Sequence, residues 1–124
     1  MLKRSKFLVI WGILWVTGCG PDTILVRPEL DTPAQHLANG EVFLETGKYN
    51  DAFREFLRAR ELDPRNVSAH VGMGLAAGYN GDVEAGLNHL AEAESYVRSI
   101  EDRTALKKGY ERLNLLMRQK DVSQ

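Results

Sequence analysis

Three histidines and a single cysteine are the side chains of this 124-residue sequence best suited to metal ligation, proton transfer or thiol chemistry near neutral pH. One cysteine excludes an internal disulfide framework, and four such residues leave few ways to build a zinc site from Cys and His ligands. His70 follows His36 at an interval that recurs along the chain. The recurrence accounts for both without a shared ligand. His89 has no obvious carboxylate or cysteine partner in the sequence, so none of the three is expected to act as a ligand or a general base. Gly72-Met73-Gly74 followed by Gly78 has the composition of a phosphate loop. Such a loop follows a strand and opens a helix, whereas these glycines lie inside a helical stretch. Ser68, Ser95, Ser99 and Ser123 fall at expected helix ends or in the tail, without the setting of a nucleophile. The expectation is a protein that is not an enzyme and that carries neither a catalytic site nor a cofactor nor a metal.

The rest of the composition removes further chemistries and selects none. Hydrophobic residues make up 44% of the chain and charged residues 27%, close to a globular average and far from a disordered one. Sixteen Lys and Arg against 17 Asp and Glu give a net charge of −1. Without a basic excess there is nothing to draw the protein onto a phosphate backbone, so nucleic acid is not an expected partner.

The N-terminal segment, up to Leu30, is of a different character. Lys3, Arg4 and Lys6 precede the apolar run Phe7 to Val16, the layout of an export signal. A membrane span needs about 20 apolar residues, and Thr17, Gly18, Gly20, Pro21 and Asp22 end this run too early. Val16-Thr17-Gly18-Cys19 then resembles the lipobox of bacterial lipoproteins. The resemblance implies a signal peptide over 1–18, cleavage before Cys19, and acylation of Cys19 as the new N-terminus. With Lys3, Arg4 and Lys6 removed, the net charge of −1 becomes −4. Each buried acyl methylene contributes about 0.8 kcal/mol of membrane affinity, so two or more chains would hold the protein on its bilayer. By the same resemblance, Gly20 in place of an Asp after the cysteine favours the periplasmic face of the outer membrane in a Gram-negative organism. Residues 19–32, with Pro21 and Pro28, are expected to be the lipidated N-terminus and a short tether.

A domain over 33–120 follows, ahead of a tail at 121–124. Thr32-Pro33-Ala34-Gln35 predicts the start of a helix: a capping threonine, a proline at the first helical position and a glutamine placed to close a capping box. At an offset of 34 the chain aligns with itself: His36 with His70, Gly40 with Gly74, Gly47 with Gly81, Ala52 with Gly86, Phe56 with Leu90 and Ala59 with Ala93. A period of this length built of paired helices resembles the tetratricopeptide repeat. The first unit, Pro33 to Asn66, follows that pattern closely. The second, Val67 to about Ile100, departs from it at Ala77 and Arg98. The small residues at Gly40, Ala52, Ala59, Gly74, Gly86 and Ala93 are expected where helices cross, with Phe43, Phe53, Phe56, Leu62, Leu87 and Leu90 filling the layer between hairpins. Leu106, Tyr110, Leu113 and Met117 at helical spacing over 101–119 predict a fifth, amphipathic helix. Its expected role is to cap the array; the alternative is a surface for an identical subunit. The fold class is therefore all-α, a helical solenoid of two hairpin repeats and a C-terminal cap.

The resemblance also implies a binding groove lined by the first helix of each unit: Leu37, Ala38, Glu41, Leu44 and Glu45, then Val71, Gly72, Leu75, Gly78 and Tyr79. The Lys and Asn residues that grip a C-terminal carboxylate in chaperone-binding members are absent from these positions, so that ligand does not transfer. The apolar half around Leu75 and Tyr79 is expected to carry the function, with Gly72 and Gly78 leaving room for a partner backbone. Glu41 and Glu45 suit a partner segment with apolar anchors and a Lys or Arg. Small lipoproteins with such repeats often assemble envelope machines such as a pilus or secretion apparatus. A scaffold of that kind is the first expectation, and an accessory subunit that recruits or regulates a peptidoglycan or other envelope enzyme is the alternative.

Overall fold

The structure, a computed structural model, describes residues 31–123. Among these there are five helices and no strand: α1 (Pro33–Glu45), α2 (Tyr49–Leu62), α3 (Val67–Tyr79), α4 (Val83–Glu94) and α5 (Ile100–Val122). Local sequence explains most of their starts. Thr32, Asn66 and Asp82 each accept a hydrogen bond from the backbone N–H three residues on, at 3.3, 3.0 and 2.9 Å. Gly47 and Gly81 take positive φ values of 75° and 106° in the turns after α1 and α3, a conformation in which a Cβ is strained. Helix α3 starts one repeat interval after α1, and α4 starts the same interval after α2.

Helix α3 is the centre of the assembly and packs against each of the other four helices. Its surroundings explain its composition: from Ala69 to Ala76 every residue is buried, so no polar face is needed. The Phe56 ring of α2 is fully buried between Gly40 of α1 and Gly72 of α3, with no room for a Cβ on either glycine. Leu90 of α4, the repeat equivalent of Phe56, sits in the corresponding place between Gly74 of α3 and Gly109 of α5. Gly74 and Gly86 allow the closest approach: a Cβ on either would lie 2.7–2.8 Å from the carbonyl oxygen of the other. Helix α5 lies against α3 and α4. Leu113 fills the space that a side chain at Gly78 would need.

Three local expectations are corrected. Gln35 does not close a capping box, because its side chain donates instead to Asn39 Oδ1 at 3.0 Å. The full capping box is at the start of α5, where Ser99 and Asp102 exchange side-chain and backbone hydrogen bonds. Leu62, at the end of α2, is 37% exposed and does not fill the layer between hairpins. Helix α5 runs to Val122, into the segment expected as tail.

Candidate functional site

A groove of about 520 Å³ runs between α1, α3 and α5. Its floor is apolar, formed by Val71 and Leu75 of α3 with Ala105 and Gly109 of α5; its rim is charged, with Glu41 on one side and Glu101, Lys108 and Arg112 on the other. At one end stands Ile100, 79% exposed. The opposed charges on one rim leave the groove without a dominant sign.

The expected groove residues are only partly brought together. Glu41, Val71 and Leu75 line this groove. Val71 and Leu75 are 6% and 3% exposed, so they form a floor and do not project as anchors. Leu37 lines a separate cavity of about 310 Å³ with Asn66, Tyr96 and Asp102. Leu44 belongs to the buried core, and Ala38 and Glu45 are exposed on α1 outside the groove. Tyr79 lies outside this groove and lines a separate cavity of about 310 Å³ with Leu116; its ring stacks on Tyr49 with centroids 5.5 Å apart, and its hydroxyl accepts from Arg112 Nε at 2.9 Å. It contributes to packing and is not presented to a partner in this groove. Gly72 and Gly78 likewise leave no space for a partner backbone, because Phe56 and Leu113 occupy it. The wall contributed by α5 is what the sequence reading missed. The available signals were Gly109 within an amphipathic helix and Ile100 directly after a serine cap.

The histidines form two clusters at repeat-equivalent places. His36 joins α1 to α2: Nδ1 donates to Glu55 Oε2 at 2.8 Å and Nε2 to Asp31 Oδ1 at 2.9 Å. Burial alone would lower its pKa, but the two carboxylates outweigh burial and hold it above 6.5. Asp31 also pairs with Arg58, and the Arg58 and His36 hydrogen bonds lower its pKa to about 2. In the second cluster His70, 1% exposed, donates from Nε2 to the Pro64 carbonyl at 2.9 Å, and its ring packs on Tyr96 at 5.1 Å. His70 Nδ1 is 3.6 Å from Glu92 Oε2 and has no hydrogen-bond partner. His89 is at the same place, so the expectation that it lacks a carboxylate partner is corrected: one ligand atom from each of His70, His89 and Glu92 falls within 4.8 Å of the others. Sequence spacing links only His89 and Glu92, three apart on α4; the crossing of α3 over α4 adds His70.

Cys19 and the lipobox lie outside the described residues. No helix among the described residues is long and apolar enough to cross a membrane. Compared with family models, with curated proteins and with solved structures, the chain gives no match.

Proposed function

We propose that this chain is a tetratricopeptide-like lipoprotein, anchored through acylated Cys19, that holds a protein segment at the bacterial envelope and has no catalytic activity of its own. The solenoid reading is supported by the matching offset of the helix starts in the two hairpins and by the matched settings of Phe56 and Leu90. The observation that carries the binding role is the groove with an apolar floor and charged rim between α1, α3 and α5. The partner it suits is an extended or helical segment with an apolar side chain for the Val71–Leu75 floor, a basic residue facing Glu41 and an acidic one facing Lys108. Assembly of a pilus or secretion machine at the outer membrane is the role assigned to the pair.

The test combines anchor and groove. Protein extracted from membranes after expression of the whole gene product is expected to have the mass of a chain that begins at acylated Cys19 and no emission from Trp11 or Trp15, and Cys19→Ser should release or mislocalise it. In the anchored protein, Glu41→Lys combined with Lys108→Glu reverses one charge on each side of the rim at exposed sites. Crosslinked pull-down from membranes should then lose the partners recovered by the unaltered protein. An unmodified full mass with tryptophan emission defeats the lipoprotein reading. Undiminished partner recovery by a folded, anchored variant defeats the groove.

A further inference from the structure

Equivalent positions of the two repeats carry different chemistry. His36, Glu55 and Arg58 correspond, at the offset of 34, to His70, His89 and Glu92. In the first set each charge is answered: His36 donates from both ring nitrogens to carboxylates, and Arg58 pairs with Asp31 and Glu61. In the second set a histidine stands for the glutamate and a glutamate for the arginine, so that the arginine cation is gone. The Pro64 carbonyl fixes the His70 tautomer with the proton on Nε2, which leaves the lone pair on buried Nδ1. That lone pair faces a Glu92 carboxylate oxygen 3.6 Å away, with no donor between them. Two acceptors confronting each other at a buried atom are a favourable arrangement only around a cation or a shared proton.

We propose that His70, His89 and Glu92 form a site for a divalent transition cation of the Zn²⁺ class that clamps α3 to α4. Two imidazole nitrogens and one carboxylate oxygen are ligands of zinc, nickel, cobalt or copper, whereas magnesium and calcium prefer all-oxygen sets. Ligand atoms around a tetrahedral ion with bonds near 2.0–2.1 Å are about 3.4 Å apart. The three here lie within 4.8 Å, and His70 Nδ1 and Glu92 Oε2 are already at 3.6 Å. Small rotations of half-buried His89 and exposed Glu92 complete the closure, while His70 is held by its surroundings. A carbonyl on the far nitrogen of a ligating histidine is the usual outer support, and Pro64 supplies it. Phe53 packs at 5.8 Å from the His89 ring. Burial disfavours the charged form of His89 and lowers its pKa. Arg60 on α2 opposes a cation near His89, and the Glu92 carboxylate offsets it. Solvent reaches the exposed side at Glu92, which leaves a fourth coordination position open to water.

The test needs no knowledge of the groove's partner. Full-length protein in detergent, freed of metal by chelator and carrying no histidine tag, is titrated with Zn²⁺ at pH 7.5 by calorimetry. Thermal melts are then recorded with and without the ion. One zinc per chain should bind and raise the melting midpoint, and Co²⁺ should give the visible spectrum of a tetrahedral nitrogen and oxygen site. His89→Gln and Glu92→Gln, at the more accessible ligands, should each weaken binding by at least about tenfold and abolish the zinc-dependent shift in melting. His36→Gln should change neither. No saturable uptake by the folded protein, or uptake that both variants retain, overturns the proposal; retained uptake with a thiolate band in the cobalt spectrum would assign the ion to Cys19 instead.

Discussion

The Phe56 ring takes the volume that a side chain at Gly72 would need, so α2 and α3 meet through an aromatic plane laid on bare backbone. Gly40 receives the other side of the ring, with a Cβ there only 2.6 Å from Phe56 Cε1. The ring cannot retreat from one glycine without striking the other.

Gly72→Ala tests this clamp. Alanine gains roughly 0.8–1 kcal/mol of helix propensity over glycine, but overpacking of a closed core costs typically about 1–3 kcal/mol, so net destabilisation is expected in urea unfolding. Phe56→Leu in the Gly72→Ala background should recover part of the loss because the smaller side chain vacates the ring's edge. An alanine variant as stable as the unaltered protein would show that α2 and α3 are not in contact at this pair.

A second prediction concerns α5. Leu113 is fully buried against Gly78 and Gly86, whereas Leu115 two residues on is 57% exposed. Leu113→Ala should cost about 2–5 kcal/mol, and Leu115→Ala should stay within about 0.5 kcal/mol. Chemical denaturation of both variants separates a cap that completes the core from a helix merely resting on it. Equal effects would contradict the orientation of α5 described above.

A third prediction is the titration of His36. Burial works against its charge, but Glu55 and Asp31 prevail and raise its folded-state pKa above 6.5. Stabilisation from a group raised on folding is complete below the unfolded value of about 6.5 and is lost as the pH climbs through the folded value. Asp31 behaves oppositely: its pKa, lowered from 3.8 to about 2, gives stabilisation that is present above 3.8 and lost as the pH falls through about 2. The imidazole resonances of His36 should titrate above 6.5, and Glu55→Gln should bring the midpoint down. In metal-free buffer, His36→Gln should flatten that alkaline loss in the urea midpoint. A His36 midpoint below 6.5 would mean that burial outweighs the carboxylates.

Helical periodicity, cap residues and the repeat interval are properties of the chain's order, and the five helices and most of their starts are legible from them. Thr32, Pro33 and the glycines of the two turns act within a few residues of themselves, which is why they can be read. The error at Gln35 has the same origin: two local partners compete for one side chain, and Asn39 prevails one turn further along α1.

Where the helices lie, and which of their positions are small, follows from residue order alone, because those properties depend on backbone propensity and on residue volume. Which apolar side chains are spent inside the protein follows from the packing of helices in three dimensions: α3 is enclosed by four others, so Leu44, Val71 and Leu75 are buried in the core or floor of a groove instead of standing on an open face. The same packing sets Tyr79 between Tyr49 and Arg112 and makes α5 the far wall of the groove. It also brings His70 across to His89 and Glu92. Each of these relations joins residues on different helices, and the crossing geometry is set by how closely backbones approach at Gly74 and Gly86. No local pattern encodes that distance, since it is the sum of many packing contacts made at once.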